Sequence, residues 1–447
     1  MSHPPQPHHH PHQQAHLQPH PQAAPPPTAA PPRRAFAPDL ARGFMLCLIG
    51  IANVSAYLWG TSSADSLTGH PPSDSALDIV LSVLTILFVD GSIYPMFAFL
   101  FGYGIVQFAR NRTAAGDSPQ SITRMLLRRH LWLVIFGFVH AALLFGGDIL
   151  GAYGLCGLAL GYLIVNARDR ILTITVWVLT GVLVLFVFVQ IGFVALALAL
   201  GGGTGTEVAA ESDGEDVVAA NAILGSLLTQ GADEPNYLLA AGIRLLVWVM
   251  ATVLSMLALT VPITIILGGL AARHWWIEPR PTDSGTAPNA EAVRRLRLGL
   301  VAAIGIPVGV LGALPRALAY LGWVPEDAAF VQLFGGLGSL TGAFAGIGYA
   351  ALFGLIGLRV QNRPPRLLLP VAYLGKRSLS FYLLQSVIFA PLLTAWGFGL
   401  GGAWNTTPAF LLAIGVWLVS LGLATWLERK NAKGPAEVVL RRLTYGR

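Results

Sequence analysis

The stretch RRHLWLVIFGFVHAALLFGGDILGAYGLCGLALGYLIVNARDR, residues 128–170, holds two apolar runs that begin and end beside arginines and meet at Gly146, Gly147 and Asp148. Each run is close to the ~20 residues that carry a helix across the hydrocarbon of a bilayer. The paired glycines supply the turn between them. Residues 128–146 and 148–165 therefore read as a membrane hairpin, with the basic residues holding both free ends on one side.

The same pattern extends in both directions. Apolar runs at 43–60, 92–109, 128–146, 148–165, 171–200, 238–272, 298–320, 329–358, 368–397 and 408–427 predict ten spans in an all-α bundle. Residues 77–89 predict a helix lying at the membrane surface or tucked into the bundle, and Pro262 and Pro391 are the candidate kinks. Gly338, Gly342 and Gly346, four residues apart, form a small-residue ridge suited to close helix packing. Of 447 residues 54% are apolar and 11% charged, with a mean hydropathy of +0.63. Soluble domains carry about 25% charged residues. A soluble enzyme, a disordered protein and a secreted disulfide scaffold are thereby excluded.

The charges also orient the chain. With the N-terminus in the cytoplasm, 26 of the 28 Lys and Arg residues fall on cytoplasmic segments, leaving only Arg244 and Arg316 outside. That partition predicts cytoplasmic termini and an even number of spans in the plasma membrane. It also explains the pI of 9.5 without a nucleic-acid partner. Residues 1–38, rich in Pro, His and Gln, read as a disordered cytoplasmic tail ahead of an integral membrane domain at 39–447. No cleavable signal precedes the first span, which is expected to direct its own insertion. Residues 201–237 form an acidic external loop without the spacing of a calcium site. Cys47 and Cys156 lie in apolar runs as small core residues, with no metal-ligand spacing around them.

Strongly polar residues inside spans are costly and point to function. On this topology Asn53, Asp90, His140, Asp148, Arg244 and Arg316 all fall in the outer half of the membrane, which predicts one outward-side polar pocket, with Tyr94 following Asp90. His70, between that pocket's elements and next to Pro71, reads as a loop residue. A second, cytoplasmic group comprises Arg42, Lys376 and Arg377, suited to phosphate or to anionic lipid. Ser378, Tyr382 and Gln385 form a polar stripe on the ninth span. Arg42 and Asn53, eleven residues apart, share one helix face and lie about 16 Å apart along the axis, so that face links the two groups.

The strings DLARGFMLCLIGIANV (39–54), YPMFAFLFGYGI (94–105), the 128–158 block already quoted, LGKRSLSFYLLQSVIF (374–389) and KGPAEVVLRRLT (433–444) resemble the YeiB-like family, domain-of-unknown-function family 418. Its first helices are in turn similar to membrane acyltransferases, which move an acyl group from a cytoplasmic acyl-CoA to an acceptor across the membrane. The resemblance implies acyl-CoA as a co-substrate, no covalently bound cofactor, the lipid bilayer as partner, and an envelope glycan or lipid as acceptor. Where the wider group carries a catalytic His ten residues after an Arg, this chain has Asn53. A neutral amide cannot act as a general base, so that role falls to His140 oriented by Asp148. Asp90, Tyr94, Arg244, Arg316, Tyr382 and Gln385 are then the acceptor-side residues, and Arg42, Lys376 and Arg377 the donor-phosphate residues. Two alternatives stay open, a permease for a small polar or anionic solute and a non-catalytic envelope assembly protein.

Overall fold

The computed structural model describes residues 36–60, 69–199, 227, 229–278, 288–324 and 329–446. The expectations for the tail through residue 35 and for the acidic segment 201–226 lie outside these residues. Residues 36–38, counted with the tail in the sequence reading, are already helical.

Among the described residues there are helices and turns and no strands. In chain order the helices are α1 (Phe36–Val54), α2 (Ala76–Phe88), α3 (Ile93–Ala114), α4 (Pro119–Leu143), α5 (Leu150–Asn166), α6 (Asp169–Ala199) and α7 (Tyr237–Leu257). They continue with α8 (Thr260–Arg273), α9 (Pro288–Tyr320), α10 (Ala329–Val360), α11 (Leu369–Gly375), α12 (Ser378–Leu393), α13 (Thr406–Arg429) and α14 (Pro435–Tyr445). The protein is an all-α membrane helix bundle.

The apolar runs predict ten spans. Seven of the described helices are long and apolar enough to cross a bilayer, and the α2–α3 pair, bent by 40°, makes an eighth if it is one broken span. The other two expected spans hold α5 and α12, apolar helices of 17 and 16 residues, at the lower edge of the ~17–25 residues of a spanning helix. The run 238–272 is not one helix: α7 and α8 are separated at Ala258 and Leu259, where Leu259 takes a left-handed backbone with φ of 60°. Pro262 accounts for the break, because its ring has no N–H for the Ala258 carbonyl and would collide with it. The Ala258 carbonyl accepts the Thr260 N–H instead, at 2.7 Å. Pro391 makes no comparable break, since α12 ends two residues after it. The run 368–397 is interrupted earlier, at Lys376 and Arg377 between α11 and α12.

Burial separates central from peripheral helices. The apolar windows of α1 and α10 are 67% and 61% buried, that of α6 only 17%. Trp177, Phe193, Leu238 and Leu311 accordingly point outward, an arrangement favourable only where the surroundings are themselves apolar. The glycine ridge serves the centre: a methyl group on Gly346 of α10 would sit 2.7 Å from the Ser92 carbonyl oxygen at the start of α3. Of the two places open to residues 77–89, the structure shows the inner one. α2 packs on α9 and α13, and buried Asp78 accepts the Thr407 N–H at 2.7 Å.

The bundle has two polar ends. One gathers the start of α1, the start of α4, the end of α5 and the end of α13, and carries most of the arginines. There Arg273 bonds the Ile164 and Ala167 carbonyls and Asp169. The other end holds the α4–α5 turn, the α2–α3 turn and the start of α7.

Candidate functional site

The α4–α5 turn builds the centre of the site. α4 stops at Leu143, and the N–H groups of Leu144 and Phe145 both fold back onto the His140 carbonyl, at 2.8 and 3.1 Å. Gly146 and Gly147 reverse the chain, and Asp148 then accepts the Gly151 N–H from the first turn of α5, at 3.0 Å. The reversal brings two residues eight apart in sequence face to face: His140 Nδ1 is 2.8 Å from Asp148 Oδ1. Gly137, one turn before His140, leaves the room required, since any side chain there would strike the Asp148 carboxylate.

This pair is closed to water, with side-chain exposures of 2% for His140 and 0% for Asp148. The carboxylate also receives Trp248 Nε1 at 3.3 Å and the Tyr382 hydroxyl at 3.3 Å. Four donors from four helices therefore fix one side chain. A carboxylate only accepts, so Nδ1 is the donor in this bond; in the neutral imidazole Nε2 then carries the lone pair. That Nε2 is buried and has no hydrogen-bond partner among the described residues. The Tyr382 ring packs edge-on to the imidazole at 5.3 Å. An oriented imidazole with one nitrogen held by a carboxylate and the other unengaged is the arrangement a general base requires.

The other outer residues form two hydrogen-bonded groups, joined where Tyr94 lies within electrostatic reach of Asp90. Tyr94 donates to Asn53 Oδ1 at 3.2 Å, and its carbonyl accepts the Tyr153 hydroxyl at 2.8 Å. Tyr382 lies within electrostatic reach of Asp148, Tyr94 and Tyr57, which connects this pair to the His140 centre. Gln385 ties α12 to α1 by donating to the Leu46 carbonyl at 2.7 Å. Arg244 is buried beside the end of α4, bonded through Nε to the Ala141 carbonyl and through Nη2 to that of Ala142. Asp90 and Arg316 form the second group, 3.7 Å apart. His70 joins them: it is buried, its Nε2 is 2.9 Å from Asp90 Oδ2, and it packs against the Tyr320 ring. The prolines around His70 gave no hint of this, because its partner comes from a turn twenty residues on.

At the arginine-rich end the three expected residues do not share a task. Lys376 and Arg377 both bind Glu428, at 2.5 and 2.8 Å, and Arg377 also donates to the carbonyls of Tyr373 and Ala432. Their charges hold the end of α13 to the α11–α12 junction. Arg42 lies elsewhere, 3.4 Å from Asp39, with its guanidinium against Gly104 of α3. The residue missed there is Arg129, close enough to Arg42 for their charges to interact and seated over the Phe108 ring at 5.5 Å. Among the described residues no three His, Cys, Asp or Glu side chains are grouped as metal ligands would be.

Comparison with known proteins bears directly on this bundle. Residues 288–447 match the family described as Protein of unknown function (DUF418). An uncharacterized protein, YeiB, of Escherichia coli (strain K12) is 28% identical over 361 residues, covering 78% of this chain and 80% of the relative. The chain is similar to YeiB over most of its length. The match to YeiB covers most of both chains, so the likeness extends well beyond the DUF418 segment. An uncharacterized 39.9 kDa protein in the amylase 3' region of Bacillus acidopullulyticus is 34% identical over 120 residues, covering 27% of this chain and 31% of that one. The uncharacterized protein YxaH of Bacillus subtilis (strain 168) is 30% identical over 103 residues, 23% of this chain and 24% of the relative. The chain thus aligns with less than a third of the length of these two Bacillus relatives. The family expected from the sequence motifs is the one found.

Proposed function

We propose that the protein is an acyltransferase-related enzyme of the plasma membrane, with both termini cytoplasmic, acting on an envelope glycan or lipid from the outer side. The observation that carries this reading is His140, held by Asp148 with Nε2 buried and unengaged. In the proposed step Nε2 takes the proton of an acceptor hydroxyl while that oxygen bonds to the acyl carbonyl carbon. The carbon–sulfur bond then breaks, and the coenzyme A thiolate leaves and is protonated. The invariant demand is a base positioned before the acceptor arrives, which the four donors on Asp148 support. Asn53 has a positioning role, holding the Tyr94 hydroxyl. Donor phosphates are assigned to Arg42 with Arg129, because guanidinium groups pair well with phosphate. Lys376 and Arg377 are withdrawn from that assignment by Glu428. From Arg42 to Asn53 the α1 axis covers about 16 Å, the distance the donor's thiol arm would bridge.

The test uses purified full-length protein and acetyl-CoA as probe. Acetyl-CoA should raise the melting temperature saturably, and Arg42→Ala should weaken that response. His140→Ala should leave donor binding intact and lower thioester turnover by about 10²–10⁴-fold, the contribution of a general base. Failure of saturating acetyl-CoA to shift the parent protein, together with solute flux that depends on Arg244 or Arg316, would replace this reading with the permease.

A further inference from the structure

Next to the His140 centre, and not used by the mechanism above, the same end of the bundle has a surplus of buried donors. Arg244 is 2% exposed. Its Nε and Nη2 are spent on backbone carbonyls, which fixes the guanidinium plane. Its Nη1 is buried with no hydrogen-bond partner among the described residues. The Tyr57 hydroxyl and the Trp396 indole N–H are in the same condition. These three groups are neighbours: the Trp396 ring lies 5.8 Å from the Arg244 guanidinium, and Tyr57 is within its electrostatic reach. The Tyr237 phenol faces Arg244 as a hydrogen-bonding neighbour and Ser386 faces the Tyr57 hydroxyl, with no carboxylate among the groups acting on Arg244. Buried donors left without acceptors are rare in native proteins, and each requires a reason.

A cleft supplies the reason. It is lined by Tyr57, Phe145, Gly146, Gln230, Arg244 and Thr394, and its interior of about 10 Å³ has room for one water-sized group. Gly146 lets the turn pack closely on α7 beside the cleft, since a methyl group there would lie 3.0 Å from the Arg244 carbonyl oxygen. Phe145 forms the partition toward the catalytic centre, stacked on Tyr57 at 5.2 Å and 6.4 Å from the His140 ring. We infer that this cleft binds a small oxyanion, the carboxylate or phosphate group of an outward-side ligand, through Arg244 Nη1 and the Tyr57 hydroxyl. A planar guanidinium already fixed by two bonds offers its remaining donors without further ordering. A neutral or cationic group would leave the buried charge unanswered. The cleft admits one oxygen-sized group, so a single oxygen of the anion enters it and the remainder of the ligand stays in the mouth.

This inference goes beyond the acyl-transfer reading and does not depend on it, since neither Arg244 nor Tyr57 is a catalytic group there. Purified full-length protein is titrated with sodium acetate and, separately, inorganic phosphate at constant ionic strength, because general screening would otherwise mimic binding. Tryptophan fluorescence and melting temperature are read. At least one anion should saturate, and the preferred one distinguishes a carboxylate-bearing from a phosphate-bearing ligand. Arg244→Gln should weaken binding about tenfold or more, the scale of one charge-assisted hydrogen bond. Tyr57→Phe, which keeps the Phe145 stack, should weaken it by about three- to tenfold. Arg316→Gln and His140→Ala should bind as the parent does. The inference is overturned if neither anion saturates by about 100 mM, where even a weak millimolar site would fill. It is equally overturned if Tyr57→Phe and Arg244→Gln both bind like the parent. Saturation that appears only after Glu207, Glu211, Asp213, Glu215 and Asp216 are changed to their amides would identify the chain's own acidic segment as the occupant, and that too defeats the proposal.

Discussion

The two polar ends of the bundle treat charge in opposite ways. At the arginine-rich end the described cations meet carboxylates from distant elements: Lys376 and Arg377 meet Glu428, Arg110 meets Glu278, and Arg273 meets Asp169. These contacts join α13 to the α11–α12 junction and α8 to the start of α6, so these charges are spent on architecture, while Arg42 and Arg129 are not. At the opposite end a single carboxylate, Asp148, collects four donors, while His140 Nε2, Arg244 Nη1, the Tyr57 hydroxyl and the Trp396 N–H have no partner among the described residues. Unfilled polar valence in a buried site is unfavourable unless a ligand answers it. The contrast separates cations that tie helices together at one end from the unfilled polar groups around Asp148 and Arg244 at the other.

The contrast has a sidedness, which gives the largest and all-or-none test. A cysteine placed at Ser212 should react with an impermeant maleimide in intact cells, and one at Ala287 should not. The reverse pattern would put the His140 end in the cytoplasm. Next in size is the carboxylate itself. Asp148→Ala leaves four donors, including a buried imidazole, without their acceptor. It should destabilise the protein by about 3–5 kcal/mol, the scale for breaking a buried charged pair, seen as a large fall in melting temperature in detergent. Asp148→Asn keeps two acceptor sites and should recover part of that loss while turnover stays low.

A smaller effect is expected at the opposite end. Glu428→Gln removes the charge shared by Lys376 and Arg377 and should cost about 1–3 kcal/mol. Protease cleavage around residues 430–434 should rise, while His140-dependent turnover is retained. If Glu428→Gln abolished turnover at unchanged stability, the division between the two ends would fail. The smallest effect is the internal control. Arg295 pairs with Glu291 on the exposed face of α9, and Arg295→Ala should alter stability by no more than about 0.5 kcal/mol, within the scatter of melting measurements.

The features legible in the sequence are those written locally. Apolar runs and their basic borders identify the bundle, and Gly146–Gly147–Asp148 after a histidine-bearing run identifies the hairpin that closes the dyad. What escaped depends on distant partners. Lys376 and Arg377 look like free cations until Glu428, 52 and 51 residues away, is brought beside them. His70 looks like a loop residue until α3 begins beside it. Tyr57 reads as one more aromatic at a span end, because nothing local says that its hydroxyl faces an arginine from α7. The helix breaks escaped for a different reason: hydropathy registers apolar length and cannot register an interruption. Pro262 does mark the break in 238–272, but the interruption at Lys376 and Arg377 carries no proline of its own.

The bond from Trp248 to Asp148 gives the protein a built-in reporter. An indole N–H donating to a carboxylate resonates downfield of one in hydrocarbon, and its frequency follows the electron density on the oxygen it meets. In a nitrogen-15 tryptophan-labelled sample, the cross-peak lost in Trp248→Phe would identify that indole. Its movement during turnover would record the imidazole gaining and losing its proton, one hydrogen bond away from the reaction and without any added probe.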